Sequence, residues 1–269
     1  MSKIGFIGAG NMAQALINGI IQAGSFQPQD IIISDIDGDR ITELFKKYGV
    51  TGASNNSAVV QKADIIVLSV KPQVIASVLD EIKDSVRKDS VVISIAAGIT
   101  VDTIAKALGD IEIIRVMPNT PSLVSEGMSG LFSPNASKVT MRKALDIFEG
   151  IGKAVIVDKE QLIDAVTAVS GSGPAYFFLL IEEMIKSAQK LGLPVDIATE
   201  LVLQTAKGAS ILAEIAQKNG ESAEELRRKV TSPGGTTEAA VNTFKNGSID
   251  NLVQNALTAA YDRSRELSG

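Results

Sequence analysis

"IGFIGAGNMAQAL", residues 4–16, is the stretch whose reading decides the fold of this 269-residue chain. Three readings compete: a secretory leader, ordinary glycine-rich helix packing, and a nucleotide-binding turn. A leader needs an apolar run ending at a small-residue cleavage site. Here Asn11, Gln14 and Asn18 interrupt the run. The better fit is a short buried strand, Ile4 to Ile7, entering Gly8-Ala9-Gly10-Asn11-Met12-Ala13 and then a helix. That is the G-x-G-x-x-G/A pattern of a dinucleotide-binding turn. Gly8 allows the tight turn and Gly10 lets the backbone approach a pyrophosphate. Ala13 is small enough for the helix to pack closely on the strand. The anion would sit over the N–H groups at the helix start, where the helix dipole also favours negative charge.

Composition narrows the classes around this turn. A hydrophobic fraction of 45% is ample for a sizeable core, in one large or two smaller domains. The net charge of −5, with no basic block, speaks against nucleic acid or an anionic membrane as partner. The longest apolar candidate for a membrane span, "AYFFLLIEEM", is stopped by Glu182 and Glu183, so no span is expected. With neither leader nor cysteine, the expected compartment is the cytoplasm. A chain with no His and no Cys runs no Ser-His-Asp triad, offers no thiolate nucleophile and has no imidazole or thiolate for a metal. No metal site is expected. Catalysis falls to hydroxyls, carboxylates, lysine, backbone dipoles or a cofactor that carries the hard chemistry.

Along the first half, short apolar runs alternate with helical segments. Strands are expected at "KIGFIG", "DIIISD" (30–35), "ADIIVLSV" (63–70), "SVVISIAA" (90–97), "EIIRVMP" (112–118) and, as the last, "KAVIVD" (153–158). Helices are expected around 12–23, 39–48, 75–86 and 101–108. Strand runs bounded by Gly, Asp and Pro and separated by amphipathic helices predict a doubly wound parallel sheet, an α/β Rossmann domain over residues 1–160. From about residue 160 onward the β-branched runs cease. Phe177, Ile181, Met184, Ala188 and Leu191 recur at helical steps, as do Val202, Ala206, Ala209, Ala213 and Ala216. Ser222 and Glu225 read as a capping box, and a last helix is expected over 249–266. Residues 161–269 therefore form an all-α domain. Its helix after Pro174 is apolar on more than one face, which predicts burial against another subunit and a role in dimerisation; full burial inside a single monomer is the competing reading.

In a doubly wound sheet, ligands sit beyond the carboxyl ends of the strands. The unusual residues gather there: Ser34 and Asp35, Val70-Lys71-Pro72, Ala96-Ala97-Gly98, and Pro118-Asn119-Thr120-Pro121. Asp35 stands where an acidic residue takes the adenosine ribose hydroxyls of NAD. Ser34 beside it, with Arg40, could instead hold a 2′-phosphate, so these residues leave NAD and NADP both open. Asn55 and Asn56 could face the adenosine side. The helical half adds two clusters that its periodicity does not require, "AVSGSGPAYFF" (168–178) and "VTSPGGTTEAA" (230–240). Pro233-Gly234-Gly235-Thr236-Thr237 precedes a helix, and its N–H groups form an anion site suited to a carboxylate, with the Thr237 hydroxyl close by. A plain loop capped by Thr is the competing reading.

Across essentially the whole length, the motifs "GFIGAGNMA", "SVKP", "AAGIT", "RVMPNTP", "DAVTAVSGSGPAYFF" and "VTSPGGTT" make the chain resemble the pyrroline-5-carboxylate reductases. The resemblance implies an N-terminal Rossmann domain and a helical C-terminal domain that interlocks with its twin in a homodimer, with a homodecamer as a further assembly. It implies reduction of the cyclic imine 1-pyrroline-5-carboxylate to L-proline, the last step of proline synthesis, with NADPH preferred and NADH as the alternative. By resemblance, Gly8, Gly10, Asn11, Met12 and Ala13 form the pyrophosphate turn, and Ser34 and Asn56 the adenosine-phosphate side. Val70, Lys71, Pro72 and Ala97 form the edge near the nicotinamide. Gly234, Gly235, Thr236 and Thr237 form the substrate-carboxylate loop, Thr236 through its backbone, with the Thr237 hydroxyl at the imine nitrogen. Asp35 departs from the neutral residues associated with strong NADPH preference. The β-hydroxyacid dehydrogenases share this plan but resemble a site with a lysine on an interdomain helix, where "SGSGPAYFF" has none. A non-catalytic dinucleotide sensor would keep Gly8 and Gly10 and have no need of "SPGGTT".

Overall fold

The computed structural model describes residues 2–268. Its sheet is built from β1 (Ile4–Ile7), β2 (Ile31–Ser34), β3 (Thr51–Gly52), β4 (Ile65–Leu68), β5 (Val91–Ser94), β6 (Glu112–Met117), β7 (Gly127–Phe132) and β8 (Gly152–Ile156). The strand order is β3-β2-β1-β4-β5-β6-β7-β8, and the first six run parallel. The order reverses between β1 and β4, the switch point at which open α/β sheets present a crevice. Every residue of β1, β2 and β4 is buried. Helices cover both faces of these strands, which is why they read as unbroken apolar runs rather than alternating ones. Side chains leave β1 with period two: Ile4 and Phe6 join one core with Leu16, Ile17 and Phe148, and Ile7 joins the other with Leu68, Leu79 and Ile104.

The sheet is not wholly parallel. After β6 the chain turns back through β7, which pairs antiparallel with β6, and β8 then joins β7 in parallel after the helix Lys138–Glu149. Neither β7 nor that helix was legible in the sequence pattern. "GMSGLF" lacks a β-branched run, and its two glycines stand where a side chain would clash. A Cβ at Gly127 would lie 2.0 Å from Ser122 Oγ, and one at Gly152 would lie 2.1 Å from Gly127 O.

The chain divides into two compact units, one reaching Pro174 and resuming at Ala259, the other Ala175–Thr258. In the first unit, Arg115 of β6 is 3% exposed and donates to Glu160 Oε1 at 3.0 Å and to Ser268 Oγ at 3.4 Å. Asp164 Oδ1 accepts from Ser264 Oγ at 2.7 Å. These polar contacts fasten the end of the helix Ile249–Ser268 beside β6.

The second unit is helical throughout, and the expected capping box forms: Ser222 Oγ accepts from Glu225 N and Ser222 N donates to Glu225 Oε2. Many of its large apolar side chains are exposed, among them Phe177, Phe178, Leu179 and Leu180. The helical path Leu162–Lys190, with one wider turn at Thr167–Gly171, runs 29 residues and is long and apolar enough to cross a membrane by length and composition. The expectation that no run reaches that length is thereby corrected. The path begins at Leu162, well before the run counted from Ala175, and Glu182 and Glu183 lie inside it instead of ending it.

Candidate functional site

The glycine-rich turn joins β1 to the helix Asn11–Gln22. Gly8 has φ +96°, and its N–H donates to Ser34 O at 2.8 Å. The Ser69 hydroxyl donates to Gly8 O at 2.7 Å, and a Cβ at Gly8 would lie 2.7 Å from Ser69 O. Gly8 is thus required by the neighbouring strand end. Gly10 is different. It precedes the helix in an extended conformation, no side chain caps the helix, and no acidic residue occupies the first turn. A Cβ there would meet nothing nearer than Arg40 Nη1 at 3.9 Å. Protein packing leaves the space over Gly10 open, beside the N–H groups of Asn11, Met12 and Ala13. That cradle fits a pyrophosphate held by backbone donors at a helix start.

Next to the turn, Ser34 Oγ donates to Asn56 Oδ1 at 2.8 Å. Asn56 in turn donates from Nδ2 to Glu81 Oε2 at 2.7 Å and from its backbone N to Glu81 Oε1 at 3.2 Å. Two residues singled out in separate turns therefore meet, oriented by a carboxylate that no motif announced. Asn55 caps the short helix Asn56–Val60 through Ala58 N. Asp35 Oδ2 accepts from Ala9 N at 2.6 Å, and Oδ1 accepts from Asp37 N at 2.9 Å. Its carboxylate brackets the glycine-rich turn. Arg40 lies 3.6 Å from Asp37 across an exposed ion pair.

Along the same edge, Val70, Lys71 and Pro72 follow β4, and Ala97 follows β5, with Lys71 exposed and Ala97 half-buried. Ile95 N donates to Leu68 O at 3.1 Å, so these two exits lie side by side. Asn119, in the turn after β6, donates to Ser170 O at 3.0 Å and accepts from Met128 N at 2.8 Å. It ties "RVMPNTP" to the wide helical turn within "AVSGSGP".

The second unit carries the loop before the helix Thr236–Asn246. Gly234 has φ +71°, and its N–H donates to Glu238 Oε2 at 2.7 Å. Gly235 N donates to Ser232 O at 3.0 Å. Gly235 itself is the residue before the helix, with no side-chain cap. Neither threonine serves as the cap, so the plain Thr-capped loop is not what forms. Thr236 is exposed and Thr237 half-buried.

A family profile described as pyrroline-5-carboxylate reductase dimerisation matches residues 160–267, and one described as NADP oxidoreductase, coenzyme F420-dependent, matches residues 3–98. Pyrroline-5-carboxylate reductase from Pseudomonas aeruginosa is 41% identical over 99% of this chain and 97% of its own length. A solved pyrroline-5-carboxylate reductase from Coxiella burnetii superposes with a TM-score of 0.91 at 40% identity, covering 100% of this chain and 99% of that one. The Plasmodium falciparum pyrroline carboxylate reductase, solved with NADP bound, has a TM-score of 0.88 at 32% identity, covering 100% and 98%.

Proposed function

Because the chain belongs to the pyrroline-5-carboxylate reductase family, we propose that it reduces 1-pyrroline-5-carboxylate to L-proline, with NADPH as the preferred donor and NADH as the alternative. The observation that carries this reading is the near-full-length identity of about two residues in five, joined to an uncapped, open glycine-rich turn in the first unit. Bound nicotinamide supplies a hydride from C4. The carbon of the protonated imine would accept that hydride, the C=N π pair would move onto nitrogen as its lone pair, and a secondary amine and the oxidised nicotinamide would remain. Neither metal nor thiolate is needed, and the task left to the protein is positioning.

Gly8, Gly10, Asn11, Met12 and Ala13 hold the pyrophosphate through backbone donors. Ser34, Asp35 and Asn56 line the adenosine ribose, and Val70, Lys71, Pro72 and Ala97 line the nicotinamide end. Gly234, Gly235 and Thr236 form the loop that receives the substrate carboxylate, with the Gly234 and Thr236 amides as its donors, since the Gly235 amide is held by Ser232 O. The Thr237 hydroxyl bonds the imine nitrogen, where charge and bonding change, and is the catalytic group. Residues 1–160 act as the dinucleotide-binding domain and 161–269 as the substrate-binding and dimerisation domain of a homodimer, assembled further to a homodecamer, in the cytoplasm. The apolar path Leu162–Lys190 lies within the segment that matches the dimerisation profile, which favours cover by a second copy over a membrane. The test is loss of NADPH absorbance on adding 1-pyrroline-5-carboxylate to the purified protein. A protein that binds NADPH and leaves this imine untouched overturns the assignment.

A further inference from the structure

A glutamate at the third position of a helix ordinarily reaches back to the amide of the residue that caps it, as Glu225 does to Ser222 N. Glu238 holds the same position in the helix Thr236–Asn246, yet its carboxylate goes elsewhere. The Gly235 amide is already taken by Ser232 O, and the left-handed backbone at Gly234 turns the preceding N–H toward the helix start. Glu238 Oε2 receives that N–H at 2.7 Å. A carboxylate of the chain itself therefore sits on one of the donors assigned above to the substrate carboxylate. Two carboxylates at one donor repel, and the shared N–H serves only one of them. Glu238 is half-buried at the loop surface, so it has water to swing into.

We infer that Glu238 is an internal competitor for the substrate carboxylate, a residue that holds the Gly234 amide until the substrate replaces it and thereby sets the affinity of the loop for carboxylate-bearing imines. This rests on the reductase reading of the loop. The effect belongs to carboxylate binding and not to the chemical step, because Glu238 pairs with the Gly234 amide and not with the Thr237 hydroxyl assigned to the imine nitrogen.

The experiment compares wild type, Glu238→Gln and Glu238→Ala in the full-length protein, with two substrates: 1-pyrroline-5-carboxylate and 1-pyrroline, which lacks the carboxylate. For the carboxylated imine, KM is expected to fall about three- to tenfold in Glu238→Ala, the size of one partly exposed charged hydrogen bond, and less in Glu238→Gln, which keeps an acceptor oxygen. The KM for 1-pyrroline moves less, so the kcat/KM ratio between the two imines rises in both variants. Inhibition by L-proline, which carries the same carboxylate, tightens in parallel. A KM that stays constant or rises, or that falls equally for both imines, overturns the inference and makes Glu238 a bracket for the loop. If wild type fails to reduce 1-pyrroline-5-carboxylate, the reductase reading falls and this inference falls with it. Melting curves check folding, and should Glu238→Ala fail to fold, Glu238→Gln decides alone.

Discussion

A side chain added at Gly10 would meet no protein atom closer than Arg40 Nη1 at 3.9 Å, whereas one added at Gly8 would drive into Ser69 O at 2.7 Å. Gly8 is required by the fold, and Gly10 is the one proposed to admit the pyrophosphate. Gly10→Val is expected to melt close to wild type and to lose NADPH affinity in a fluorescence titration. Retained affinity would remove the pyrophosphate from this turn. Asp35 joins both demands, since its carboxylate brackets Ala9 and Asp37 and is also the group proposed to face the adenosine ribose. Asp35→Asn removes the charge and keeps one acceptor, so like-charge repulsion of a 2′-phosphate disappears. The ratio of kcat/KM for NADPH over NADH should rise, and an unchanged ratio would leave Asp35 as a bracket alone. At Thr237, removing the hydroxyl proposed to bond a charged nitrogen should lower kcat/KM by roughly ten- to a hundredfold in Thr237→Ala. Thr237→Ser should recover most of it, while cofactor affinity holds. Normal turnover by the alanine variant would assign the proton to water.

Among elements, β6 and the helix Lys138–Glu149 are clipped together by one carboxylate. Glu112 accepts from Ser137 N at 2.7 Å and from Thr140 Oγ1 at 2.5 Å. Burial pushes this carboxyl up, but the Thr140 and Ser137 donors outweigh it and hold it below the usual glutamate value. Asp64 is held low in the same way against burial, by Lys3 N and the Arg87 guanidinium, where β4 begins beside β1. A depressed folded-state pKa contributes stability that is present above the unfolded value and is lost as pH falls through the folded one. Glu112→Gln should cost about 1 kcal/mol at neutral pH. The gap between variant and wild type should begin to close as pH falls below the ordinary glutamate pKa of about 4.3, and vanish only below the lower folded-state value, where wild type is protonated as well. Thermal melts across that range check it, and a gap that stays constant would show that the charge contributes nothing.

For the whole molecule, the helix Gly173–Lys190 leaves Phe177, Phe178, Leu179 and Leu180 exposed at 65%, 61%, 60% and 47%. Four consecutive residues point around about 300° of the helix, so no single neighbouring face covers them all. Apolar surface on that scale marks an interface, and the segment matches a dimerisation profile. Light scattering at low micromolar concentration should show no stable monomer. A folded monomer there would mean that this surface is covered within the chain.

The α/β half was legible in the sequence because its rules are local. Strands buried on both faces must be apolar throughout, helices between them must be amphipathic, and a phosphate-binding turn must lack Cβ atoms. The same holds for the helical half, written in steps of three and four, and for the glycines before Thr236. Position along the chain determined all of this without reference to any partner in space. Tertiary structure alone decided that β7 returns antiparallel beside β6, since its glycines record close backbone approach and no strand propensity. It alone joined Ser34 to Asn56 and Glu81, turned Asp35 onto Ala9, and gathered Glu160, Asp164 and Ser264 around the buried Arg115. Polar partners tens of residues apart have no period and no spacing to read, because a hydrogen bond depends on where the backbone has brought its two ends and on nothing in the sequence between them.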